Sequence, residues 1–156
     1  MRIYAYIIIV VAIIYIYSYY LFPKVVSVLQ TSADRFSTNM LLDKQPVVVE
    51  ESFEFFDTQM SSWYLHKDIT SSYDIDTWHK NKFKYLGFYS VFPCELMACP
   101  GLTPPNESSS IIAFKMLPGQ TVFLPFHWSY SVIPKTDTTV PLKVVGVHDL
   151  VTFFLP

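Results

Sequence analysis

Three groups of residues in this chain have types and spacings that could do chemistry: a histidine–carboxylate pair, a cysteine pair and a run of alternating lysines. His66-Lys67-Asp68 has H-x-D spacing, and on an extended strand residues i and i+2 point to the same face, so both groups could reach one ion. A non-haem Fe(II) centre needs two histidines and a carboxylate, with coordination positions left open for oxygen and co-substrate. His127 is the candidate third ligand. The alternative makes His66 and Asp68 surface residues beside Lys67, with His127 packed or hydrogen-bonded near Trp128. His79 and His148 are scattered elsewhere, so any catalytic set has to be assembled by folding. Cys94 and Cys99 are spaced C-x4-C; a lone pair cannot supply the four ligands of a structural zinc, which leaves a disulfide or two buried thiols. Lys80, Lys82 and Lys84 alternate with Phe83 and Tyr85. On a strand they share one face, which either contacts phosphates or guards an edge against strand-to-strand aggregation. Asn106-Glu107-Ser108 is a glycosylation acceptor pattern in a loop flanked by prolines.

Other chemistries are hard to build from these residues. The sequence contains no G-x-S-x-G elbow, Walker loop, G-x-G-x-x-G or H-E-x-x-H, and with four glycines it has little material for phosphate-cradling loops. Eleven basic and 13 acidic residues give a net charge of −2, so no overall field would hold a polyanion and nucleic acid is not an expected partner. The reading is therefore of a non-enzymatic module with no cofactor. Its 13 Phe, 11 Tyr and 3 Trp fill a core with few residues, and any surplus suits a protein interface. Trp78, Trp128 and Tyr130 are the partner-contact candidates, and each could equally be core.

The elements that would position these groups begin with a hydrophobic stretch from Ile3 to Phe22, read as a membrane anchor over residues 1–22. Its 20 residues carry no charge and at about 1.5 Å each match a hydrocarbon core of about 30 Å. Ile7, Ile8, Ile9, Val10, Val11, Ile13 and Ile14 form its centre. Tyrosines cluster at both ends, where a ring with a wet hydroxyl suits the headgroup zone. The following SYYLFPK offers no small-x-small cleavage site, so a single-pass membrane protein with the bilayer as partner is expected. Arg2 on one flank and Lys24, Arg35 and Lys44 on the other leave the orientation undecided. Residues 23–45 read as a tether. From Pro46 the pattern changes, and PVVVEESFEFF has the composition of a strand leading into a turn or short helix. LGFYSVF, SIIAFKML, TVFLPF, WSYSVI, LKVVGV and VTFFL read as short strands punctuated by Pro and Gly, which predicts an antiparallel sandwich or small barrel over residues 46–156.

Pro118-Gly119-Gln120, then Val122-Phe123-Leu124-Pro125 and Trp128, resembles the strand–turn–strand signature of the cupin-like, JmjC-type oxygenase superfamily. Gln45-Pro46-Val47-Val48-Val49-Glu50 is similar to the segment that opens many such domains. The resemblance implies a mainly β, jelly-roll domain behind the transmembrane helix. Tyr130 stands where the family's metal-binding histidine is expected, and no Lys or Arg lies in a matching register to hold a 2-oxoacid, so the implied fold lacks its metal. A membrane-tethered Fe(II) oxygenase-like hydroxylase using His66, Asp68 and His127 is the alternative, and a small-ligand or sugar binder inside the barrel is a third reading. The anchor, the short aromatic β-domain and the degenerate signature together resemble small membrane proteins of large DNA viruses. That resemblance implies a virion or internal-membrane component linking lipid to a protein shell, with capsid or membrane proteins as partners.

Overall fold

Hydrophobic alternation separates one-faced from two-faced layers in this protein. The computed structural model describes residues 2–19, 21, 23, 25–50, 53–70, 77–101, 104–134 and 142–154. After helix α1 (Arg2–Tyr19) come β1 (Leu29–Ser32), two 3-10 turns (Ala33–Arg35 and Thr38–Leu41), β2 (Val47–Glu50) and α2 (Phe53–Ser61). The chain continues with β3 (His66–Asp68), β4 (His79–Lys80), β5 (Tyr85–Ser90), β6 (Cys94–Pro100), β7 (Ile112–Met116), β8 (Gln120–Pro125), β9 (Trp128–Pro134), β10 (Leu142–Val147) and α3 (Leu150–Phe154). The strands form a six-stranded sheet in the order β1-β2-β8-β5-β10-β3 and a four-stranded sheet in the order β4-β9-β6-β7. β1 runs parallel to β2, and the other described pairings are antiparallel. The expected mainly β architecture of two packed sheets is the architecture found.

The six-stranded sheet is covered on both faces, so its central strands read as near-continuous hydrophobic runs. Within β8, Val122 and Leu124 turn inward to the core shared with the second sheet, while Phe123 turns outward. In β5, Leu86 and Phe88 go inward and Tyr89 outward; in β10, Leu142 and Val144 go inward, Val145 and Val147 outward. α2 closes the outer face with the buried side chains of Phe56 and Met60. Burying a side chain of that size contributes about 1.5–3 kcal/mol relative to leaving it exposed. β7, at the edge of the smaller sheet, shows the simpler alternation: Phe114 and Met116 are buried, whereas Ala113 and Lys115 are exposed.

The Pro118-Gly119 turn between β7 and β8 forms for a local reason. Gly119 has φ 90° behind a proline, and Gln120 N donates to Leu117 O at 3.1 Å. Those are the requirements of a type II turn.

Four expectations are corrected. Among the described residues no helix is long and apolar enough to cross a membrane. In place of a span from Ile3 to Phe22 the helix is Arg2–Tyr19, 18 residues, about 27 Å long, and it ends in tyrosines rather than further aliphatic residues. The tether over 23–45 contributes an edge strand, because Leu29–Ser32 pairs in register with Val47–Glu50. Cys94–Pro100, absent from the strands expected above, is a strand at the centre of the smaller sheet. VTFFL, read as a strand, lies in α3 through Phe154. Asp149 and Thr152 cap it reciprocally: Thr152 N donates to Asp149 Oδ1 at 2.9 Å and Asp149 N donates to Thr152 Oγ1 at 3.0 Å. A capping pair of this kind satisfies two amides that a strand would have to pair elsewhere.

Candidate membrane-attachment site

α1 has no amphipathic stripe. Ile7, Ile8, Ile9, Val10, Val11, Ile13 and Ile14 are each between 53 and 68 % exposed, so the aliphatic surface runs around the whole helix. A helix apolar on every side needs an apolar surround, which for an isolated segment means lipid or other protein. Its last turn is fixed to the sandwich by Lys44, whose Nζ donates to Ser18 O and, at 3.1 Å, to Leu21 O. A cation at a helix C-terminus also complements the helix dipole and its unpaired carbonyls. Lys44 has φ 53°, and burial lowers its pKa.

The chain between α1 and β1 is tied down by Gln45, which is buried. Its Oε1 accepts from Ser27 N and its Nε2 donates to Val25 O, both at 2.9 Å. A small pocket of about 180 Å³ lies at this junction, lined by Tyr15 and Ser18 of α1 together with Leu41, Lys44, Lys84 and Tyr85. Burial, with Asp149 adding, pushes the Tyr85 hydroxyl up to about 12. Tyr85 therefore stays neutral.

The structure does not bring His66, Asp68 and His127 together. His66 and Asp68 are exposed on β3, an edge strand; His66 Nδ1 lies 2.8 Å from Trp63 O. Asp68 Oδ1 accepts from Thr70 N and Thr70 Oγ1 at 2.9 and 2.6 Å, which lowers its pKa. His127 sits in the turn between β8 and β9 at φ 63°, stacked on Phe126 at 4.0 Å. Its backbone is held from both sides, N donating to Asn81 O at 3.0 Å and O accepting from Gly101 N at 3.1 Å. Burial, with Lys80 adding, lowers its pKa to about 4. No cluster of three or more His, Cys, Asp or Glu suited to a metal occurs among the described residues.

Tyr130 lies opposite His79 in the β4–β9 pairing, with ring centroids 5.5 Å apart; burial pushes its hydroxyl up to about 12. His79-Lys80-Asn81 repeats the two-residue spacing of His66-Lys67-Asp68 but ends in a carboxamide. Asn81 is buried and its side chain is committed to the backbone. Its Nδ2 donates to Leu124 O and Pro125 O at 3.1 and 2.7 Å, and its Oδ1 accepts from Phe83 N at 2.8 Å. The spacing was visible in the sequence; the pairing that sets His79 beside Tyr130 was not.

Two of the three partner-contact candidates are core residues. Trp128 is 0 % and Tyr130 4 % exposed because β9 lies between β4 and β6, and Trp78 is half-buried. Cys94 and Cys99 are buried thiols, not a disulfide. Both lie on β6, five residues apart along an extended strand, about 17 Å, too far for a bridge. Asn106 is exposed in the β6–β7 loop, and its Oδ1 accepts from Ser108 Oγ at 2.9 Å and Ser109 Oγ at 2.8 Å. The residues that sequence reasoning missed are Lys44, which clamps α1, and Leu150, Phe153 and Phe154 of α3, all exposed. Lys44 carries no signal beyond its charge, Phe153 and Phe154 fall in the VTFFL segment that reads as a short strand, and Leu150 lies just before it.

No family model, curated protein or solved structure matches the chain.

Proposed function

We propose that this protein is a membrane-attached structural or binding module, in which α1 is embedded in lipid and holds the β-sandwich at the bilayer surface. The observation that carries this reading is the exposed aliphatic circumference of α1, set against the amphipathic α2 of the same chain. The strand order supports a finer reading of the sandwich as a jelly roll of the cupin type. Eight strands pass between layers as β3-β10-β5-β8 in one sheet and β4-β9-β6-β7 in the other, the arrangement of two nested Greek keys. The positions of His66, Asp68 and His127 do not support the oxygenase alternative.

In a virion such a module would link an internal membrane to the protein shell. The turns far from α1, which expose Val91, Phe92 and Leu117, replace Trp128 and Tyr130 as candidates for the protein contact. Flotation of the purified full chain with phosphatidylcholine vesicles tests the membrane reading. The chain floats, whereas Ile9→Lys combined with Ile13→Lys stays in the aqueous fraction with the sandwich's thermal unfolding unchanged. A wild-type chain that remains in the aqueous fraction overturns it.

A further inference from the structure

The strand registers place one end of the sandwich beside α1. Tyr85 pairs with Pro125 and with Val147, and Val147 pairs with His66, so the starts of β3 and β5 and the ends of β8 and β10 share that end. Lys84, next to Tyr85, forms an ion pair with Asp149 at 3.3 Å, and Asp149 caps α3. α3 therefore leaves the sandwich at the end where α1 joins it.

Two independent features gather there. The first is apolar: Leu150 is 74 %, Phe153 58 % and Phe154 76 % exposed, and Tyr64, just before β3, is 97 % exposed. Leu42, which lines the junction with α1, is exposed as well. Large apolar side chains scattered singly are ordinary on a protein surface, but several at one end mark a contact. The second feature is charge. Among the described residues, Lys44, Lys67, Lys80, Lys82 and Lys84 lie at this end against Asp43, Glu107 and Asp149, with Asp68 one residue further along β3, whereas the opposite end carries Asp34, Glu50, Glu54, Asp57 and Glu95 against Arg35, Lys115 and Lys143. Among those residues the end beside α1 is the more basic one.

We infer that this end is a second lipid contact, in which Leu150, Phe153, Phe154 and Tyr64 enter the headgroup zone and the surrounding lysines face anionic phospholipid. The inference rests on the proposed placement of α1 in lipid and deepens it. Aromatic and aliphatic side chains enter the headgroup boundary while basic residues stay at the anionic surface, as they do for interfacial amphipathic segments. Held in this way at two places, the sandwich lies against the bilayer instead of hanging from it.

An environment-sensitive fluorophore attached to the full chain at Phe154→Cys, at Val91→Cys or at Ile9→Cys tests this in vesicles of phosphatidylcholine with or without phosphatidylglycerol. Cys94 and Cys99 are buried and leave the introduced thiol as the accessible one. The Phe154 probe shifts to the blue and is quenched by spin-labelled lipid, more so with phosphatidylglycerol, while the Val91 probe stays in water. Lys80→Glu with Lys82→Glu abolishes the phosphatidylglycerol-dependent part and leaves the Ile9 probe unchanged. A quenched Ile9 probe with a water-exposed Phe154 probe overturns the second contact but keeps the anchor. A quenched Phe154 probe with a water-exposed Ile9 probe keeps the contact and overturns the anchor, and two water-exposed probes overturn both.

Discussion

α1 and α2 are both rich in large apolar residues, yet they reach opposite ends of the burial scale. α2 has a stripe: Phe56 and Met60, four apart, are buried against β5 and β8, while Glu54 and Thr58 face water. Lys143 of β10 strengthens the seat by pairing with Asp57 and lying 4.7 Å from the Phe53 ring centroid. α1 has no stripe, and its aliphatic residues stay exposed around the full circumference. The difference teaches that periodicity, more than hydrophobic content, decides whether a helix folds onto its own domain. A one-sided helix finds its partner within the chain, and an all-round one leaves most of its surface for a partner outside it.

The largest expected effect lies on α1. Two lysines at Ile9 and Ile13 place charges on the surface proposed to enter lipid, each opposing burial there by up to about 2.5–3.5 kcal/mol, enough to abolish flotation while urea unfolding of the sandwich is unmoved. A parallel loss of folding stability would break the comparison, because α1 would then belong to the core.

Next comes the reverse experiment on α2. Phe56→Ala removes a fully buried ring and lowers unfolding stability by about 3–5 kcal/mol, with flotation retained. Smaller is Gly87→Ala. A Cβ there would stand 2.1 Å from Met60 Cε and 3.1 Å from Phe56 Cε2, an overpacking worth about 1–3 kcal/mol. Because the nearer contact is the flexible end of a methionine, Met60→Ala in the same chain restores much of the loss in a double-mutant cycle. Additive effects would mean that α2 does not sit tightly on β5.

The smallest effect is set by pH. The folded pKa of His127, about 4, lies below its ordinary value of 6.5, so the unfolded chain binds the proton more readily. Folding stability contributed by the neutral ring is complete above about pH 6.5 and falls as the pH drops toward 4. Urea midpoints measured across that window decline for the wild type and flatten for His127→Asn, which also tolerates the positive φ. Flotation through α1 stays constant over the same range.

How much of this was legible in the sequence varies by element. The alternation in Phe114, Lys115 and Met116 and the Pro118-Gly119 turn announced β7, the turn and β8, because each depends on neighbours in the chain. α3 was misread because Val151, Phe153 and Phe154 favour strands, and the reciprocal cap between Asp149 and Thr152 outweighs that preference. β6 was missed because the prolines at its two ends looked like breaks, although Pro100 closes the strand. The H-x-D spacing at His66 was real but its meaning depended on which strands become neighbours. That pairing sets β3 at a sheet edge, and it brings His79 to Tyr130 by a contact between residues about fifty apart in the chain. Trp128 and Tyr130 were ambiguous for the same reason, since an aromatic side chain fits a central strand and a docking surface equally well.

Lys44 gives the joint between α1 and the sandwich a mechanical character. Its ammonium bonds one carbonyl in the last helical turn, Ser18 O, and one just past it, Leu21 O, and Gln45 bonds Val25 O and Ser27 N, so the exit of the helix is held to the sandwich at four backbone points. For a helix embedded as proposed, any change in its inclination would pass to the sandwich through these four bonds, so the bonds that hold the helix would also set the attitude of the surface the sandwich presents.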